Sequence, residues 1–144
     1  MTDSFTGGCA CGAVRYEIGA TPAAMVDCQC RHCQQRSGTG HGSYVTFTSR
    51  AAVRLTGQAS EWEITGDAGT VKRHGFCPTC GSPVYLTLPA VPDVFIVHAA
   101  SLDDPGRYQP QVVTYTSSGH AWDRLDPGLP QFEKMPPQAA GSDA

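Results

Sequence analysis

Residues 28–33 read CQCRHC, three cysteines within six residues, and two further pairs flank them: CAC at Cys9 and Cys11, and CPTC at Cys77 and Cys80. These are all seven cysteines of the 144-residue chain. Zinc in a structural site takes four thiolate or imidazole donors in a tetrahedron, with Zn–S bonds of ~2.3 Å. A C-x-x-C turn aims two sulfurs into one shell, and C-x-C does the same where the backbone is extended or sharply turned. Cys9, Cys11, Cys77 and Cys80 therefore sum to one complete set. Gly12 and Gly81 follow directly after the two pairs. A residue without Cβ lets the chain turn tightly there and point backbone N–H groups at sulfur. Such a site would tie distant strands together and add stability to a small domain.

Cys28, Cys30 and Cys33 then form a set of three. Three protein ligands and one exchangeable position is the arrangement of catalytic zinc. Two other readings use the same residues. A second closed site could be completed by His32, His41 or His74, or Cys30 and Cys33 could be a redox pair. The redox reading lacks the surrounding βαβ pattern of thioredoxin-like proteins. Seven cysteines also leave one over in any scheme made only of disulfides. Near the clusters, His41 and His120 are candidates for substrate contact, and His74 for a neighbour of a metal ligand. Arg31, Arg36 and Arg73 could hold a substrate carboxylate. His98 alternates within VFIVHAA and reads as a core or strand-edge residue, while Trp62 and Trp122 read as packing anchors.

The elements that must position these groups are short strands. AVRYEI (13–18), SYVTFT (43–48), AVRLTG (52–57), EWEIT (61–65), PVYLTL (83–88), VFIVHA (94–99) and VVTYT (112–116) are β-branched or aromatic runs separated by Gly and Pro turns. The one helical candidate is RHCQQRSG after Cys30, ended by Gly38. The expectation is an all-β, mainly antiparallel domain with one short helical turn, spanning residues 1–135. In GLPQFEKMPPQAAGSDA, Leu129 and Phe132 are expected to dock, and 136–144 to form a disordered tail.

Composition narrows the function. Net charge is -3 and only 16% of residues are charged, with pI ≈ 5.9. That argues against a partner such as nucleic acid, whose phosphates demand clustered Lys and Arg. MTDSFTGG has neither the basic nor the apolar part of a secretory leader. No apolar run approaches the ~20 residues that span a bilayer. The expectation is a cytoplasmic protein without membrane contact, where thiols stay reduced and serve as ligands.

The stretches GGCACGAVRY, CQCRHCQQRSG, RLTG, HGFCPTCGSPVY, AASLDDP and YTSSGHAWDRLDPGLPQF, in this order, resemble the glutathione-dependent formaldehyde-activating enzyme and centromere protein V family, over roughly residues 7 to 133. The resemblance implies a β-tent of antiparallel sheets with two zinc ions. One is structural, on Cys9, Cys11, Cys77 and Cys80. The other is labile and catalytic, on Cys28, Cys30 and Cys33, and could be partly occupied. It also implies a carbon–sulfur lyase-type activity joining glutathione to formaldehyde as S-hydroxymethylglutathione. Many family members carry His where this chain has Gln29, and the chain lacks the extra segments of longer members. A reading from another class is a non-catalytic zinc-binding interaction domain of the same fold. Methionine-sulfoxide reduction would need a cysteine that is not a ligand, and the partition leaves none.

Overall fold

A computed structural model describes residues 4–136; the tail expected over 136–144 lies outside them except for Pro136. The strands are β1 (Phe5–Gly8), β2 (Arg15–Ile18), β3 (Ala24–Cys28), β4 (Gly42–Phe47), β5 (Val53–Thr56), β6 (Ser60–Thr65), β7 (Val71–Phe76), β8 (Pro83–Thr87), β9 (Phe95–His98) and β10 (Val112–Thr114). They form a three-stranded sheet, ordered β1-β2-β5, and a seven-stranded sheet, ordered β10-β3-β4-β9-β8-β7-β6. Neighbours run antiparallel except β10, which lies parallel to β3 with Thr114 opposite Cys28. The mainly antiparallel all-β expectation holds, with one α-helix, α1 (Arg31–Ser37), where the sequence places it.

Period-two alternation explains how the sheets pack. Val45 and Phe47 of β4, with Phe95 and Val97 of β9, enter one core with Phe5, Tyr16, Ile18 and Val53 of the small sheet. Tyr44 and Ile96, from the same two strands, turn the other way. They join Leu86, Leu88 and Val94 around Cys28 and Cys33. Both faces of β4 and β9 are thus covered, and β9 is buried at every position. This is why VFIVHA reads as a continuous apolar run and not as an alternation. Each fully buried side chain of this size contributes ~1.5–3 kcal/mol, so the middle of the large sheet is a firm platform between two cysteine sets.

Helix α1 starts and stops on local chemistry. Cys30 caps it in an extended conformation, its sulfur accepting the Cys33 N–H. Gly38 ends it in the left-handed region, its N–H bonding the Gln34 carbonyl at 2.8 Å. After β10 the chain returns alongside it: Val113 N–H donates to Pro130 O, and Phe132 N–H to Val113 O, each at 2.9 Å. Leu129 and Phe132 are half-buried, as their docking required. Among the described residues no helix is long and apolar enough to cross a membrane.

Candidate functional site

Cys9 and Cys11 lie just after β1 of the small sheet, and Cys77 and Cys80 between β7 and β8 of the large one. Their four sulfurs lie within 4.8 Å of one another. Cys11 Sγ is 3.7 Å from both Cys9 Sγ and Cys77 Sγ. A tetrahedron with ~2.3 Å bonds has an edge of about 3.8 Å, so this donor set fits a zinc ion and would join the two sheets. The turns form as Gly12 and Gly81 suggest, with φ of 84° and 79°. Val14 N–H donates to Cys9 Sγ at 3.2 Å, and Thr79 and Cys80 N–H donate to Cys77 Sγ at 3.3 and 3.5 Å. Bonds from the Ser82 hydroxyl and backbone pull the Cys80 thiol down to about 5. The Val14 N–H likewise lowers Cys9. The Ala13 N–H lowers Cys11, but sharing with Cys9, Cys77 and Cys80 outweighs it and raises that thiol to about 11, so negative charge settles first on Cys80 and Cys9.

The other set stands on the opposite face of the large sheet. Cys28 ends β3, Cys30 caps α1 and Cys33 sits in its first turn. Their sulfurs also lie within 4.8 Å of one another. Cys30 and Cys33 approach to 3.1 Å, inside the tetrahedral edge of about 3.8 Å, so gripping an ion requires those two to part slightly. The donor chemistry fits: Cys28 and Cys33 are buried, Cys30 is half-buried, and none is in a disulfide. Hydrogen bonds from Cys28 and Cys33, the Cys33 N–H and the nearby Lys72 charge hold Cys30 far below the ordinary thiol range. Sharing with Cys30 raises Cys28 and Cys33. The three thiols together hold one negative charge readily.

Gln34, 4% exposed, locks this arrangement to the rest of the chain. Its Nε2 donates to the Gln29 and Ser118 carbonyls at 2.8 and 2.9 Å. Its Oε1 accepts from Arg31 Nη1 at 2.5 Å and meets His120 Nε2 at 3.0 Å. The sequence carries no local signal for this role. Gln34→Leu would leave the buried Gln29 carbonyl and the half-buried Ser118 carbonyl without this donor, at ~1–3 kcal/mol each. A destabilisation of about 2–4 kcal/mol is therefore expected in denaturant melts; an unchanged midpoint would show that the 116–120 loop is held by other contacts.

A pocket of about 180 Å³ opens beside Cys30, lined by Arg31, His32, Gly66, Asp67, Lys72, Tyr115 and Ser118. Lys72 is buried on β7. Tyr115 has φ 58°, the left-handed region that a bulky residue seldom occupies. Its hydroxyl donates to Asp67 Oδ1 at 3.0 Å, and Lys134 Nζ donates to Asp67 Oδ2 at 2.8 Å. The Lys134 and Tyr115 bonds hold the Asp67 carboxyl below its usual range. These contacts clasp the β6–β7 turn against the segment after β10, which forms one wall of the pocket.

The other expected residues divide. Of the candidate histidines, His32 lines the pocket. His41 Nδ1 meets the Asp123 carboxylate at 2.9 Å, and Gln29 Nε2 donates to the same carboxylate at 3.1 Å. None of His32, His41 or His74 joins a cysteine set among the described residues. His74 is buried and stacked on Trp62 at 5.5 Å, its pKa pushed down to about 4, first by desolvation and then by Arg36. His98 is a buried core residue, as expected. Arg36 lies over the Trp62 and Phe76 rings at 5.8 and 5.7 Å, and Arg73 pairs with Glu63, so only Arg31 reaches the pocket. Trp122 is not a packing anchor: it is 65% exposed, with His120 stacked on it at 5.0 Å. Lys72, Tyr115 and Asp67 were missed because they are far in sequence from the cysteine motif.

Comparison with known proteins identifies relatives of this chain. A protein of Penicillium rubens, provisionally named a glutathione-dependent formaldehyde-activating enzyme, is 29% identical over 123 residues, covering 80% of this chain. The match spans 63% of that relative's own length. A crystal structure of a Rhodobacter sphaeroides protein, a structural-genomics target, superposes with a TM-score of 0.55 at 19% identity. It covers 88% of this chain and 98% of that one, and supports the fold. The model of the family described as glutathione-dependent formaldehyde-activating enzyme matches residues 4–118, most of the chain, and the protein belongs to that family.

Proposed function

We propose that this protein is a zinc-dependent enzyme that makes or breaks the carbon–sulfur bond between a small thiol and an aldehyde, glutathione and formaldehyde being the pair the family name points to. The observation that carries this reading is the pocket at Cys30, which gives the three-thiol set access to a small molecule. Cys9, Cys11, Cys77 and Cys80 would hold a structural zinc, and Cys28, Cys30 and Cys33 a second. Zinc on three thiolates supplies an exchangeable position that favours a further thiolate and lowers the pKa of a thiol from ~8.5.

The chain's own groups supply the rest. Leu86, Leu88, Val94 and Ile96 pack behind the sulfurs and exclude water from that side. Lys72 places positive charge near Cys30, which offsets negative charge gathering on sulfur and on an aldehyde oxygen. In the addition, the thiol sulfur bonds to the carbonyl carbon, the C=O π pair moves to oxygen, and the thiol proton ends on that oxygen. Holding both partners in one small pocket supplies the proximity. A non-catalytic interaction domain would need no such lining, and Arg31, His32 and Lys72 beside Cys30 favour the enzyme.

The test is exchange NMR of the thiol–formaldehyde adduct with zinc-loaded protein. Adduct formation and cleavage are expected to accelerate with protein concentration. Exchange rates identical to those in buffer, across several thiols, would remove the enzyme reading.

A further inference from the structure

The pocket's size and charge say more about the thiol. At about 180 Å³ it is smaller than the roughly 300–1,000 Å³ clefts that enclose drug-sized ligands. A whole tripeptide thiol would extend beyond it. Its lining is also charged in a particular way. Arg31, at the start of α1, and Lys72, from β7, border the cavity together with Cys30. The single carboxylate in the lining, Asp67, is hydrogen-bonded by Lys134 at 2.8 Å and Tyr115 at 3.0 Å and also feels the Lys72 charge. Arg31 is steered by its bond to Gln34 and not left to wander in solvent. Ser118 and Gly66 add little bulk to the lining.

We infer that the preferred substrate is a small thiol acid, with a carboxylate a few bonds from its sulfur, and that Lys72 and Arg31 determine this specificity. The inference rests on the thiol-binding reading above and adds the charge and size of the ligand. Sulfur reaches the three-cysteine set while the carboxylate meets the two cations in a charge-assisted contact.

Calorimetry on the zinc-loaded full chain, with 3-mercaptopropionate, 2-mercaptoethanol, cysteamine and glutathione, tests it. Cysteamine has the most acidic thiol of the three small compounds, so thiolate availability alone would rank it first. The expected order is the reverse, with 3-mercaptopropionate about tenfold or more tighter than cysteamine. Glutathione should bind no better than 3-mercaptopropionate. Lys72→Gln should remove most of the charge preference, and Arg31→Gln part of it. Lys72 is buried, and if its variant does not fold, Arg31→Gln and salt dependence decide instead. In 1 M salt, where the screening length is ~3 Å, the wild-type preference should shrink. Thiols that all bind, but without charge preference or with one that neither variant nor salt alters, overturn the specificity and leave the thiol site standing. No binding by any thiol overturns both.

Discussion

Cys77→Ser is expected to abolish cooperative folding. Cys77 is fully buried, and its sulfur accepts N–H bonds from Thr79 and Cys80 while lying 3.7 Å from Cys11. A serine hydroxyl is a poor zinc ligand and would leave the other three sulfurs unable to close the shell. Structural zinc contributes an apparent ~10–16 kcal/mol in small domains, comparable with the ~5–15 kcal/mol total stability of a typical domain. The loss also unties the small sheet from the β7–β8 turn. Circular dichroism should show no sharp melt, or one far below wild type. A melting point within a few degrees of wild type, with three sulfurs left, would refute a structural role for this set.

Cys30→Ser should do the opposite: keep the fold and lose thiol binding. Cys30 caps α1 through its sulfur, which accepts the Cys33 N–H at 3.3 Å. Serine is among the best N-capping residues, so the helix start survives the exchange. What disappears is the half-buried sulfur that joins Cys28 and Cys33 to the pocket. Zinc content should fall from two ions toward one per chain, and 3-mercaptopropionate binding should weaken by at least about 100-fold. The free energy of unfolding should stay within about 1 kcal/mol of wild type. A variant that still binds thiols as tightly as wild type would place the thiol site elsewhere.

The cysteine grouping was legible because ligand spacing is local: a C-x-x-C or C-x-C turn brings its own sulfurs together. So were α1, which Gly38 stops, and strands such as β9, whose apolar run is unmistakable. Strands β1, β3 and β7 were not. FTGG has two glycines, AMVDC carries a buried aspartate, and VKRHGF looks like a polar surface run. Each disguise has a tertiary cause. Asp27 is satisfied by Ser43 and Tyr108 hydroxyls, each at 2.7 Å. His74 is hidden against Trp62, and Lys72 faces the thiol pocket. The Asp123 that holds His41 and Gln29 comes from a distant loop, a pairing no spacing rule could reveal.

The parallel pairing of Thr114 with Cys28 bears on the order in which the molecule assembles. The thiols of the CQCRHC segment leave the ribosome well before their neighbour β10, the Tyr115 wall and the Ser118 carbonyl, which fixes Gln34 from 84 positions further on. Contacts this remote in sequence form late and slowly. Over that interval the three sulfurs are uncovered, and metal capture would shield them as ligands before their walls are in place. The segment is most vulnerable before β10 is made, and metal supply during synthesis is expected to govern how much of the protein is recovered intact.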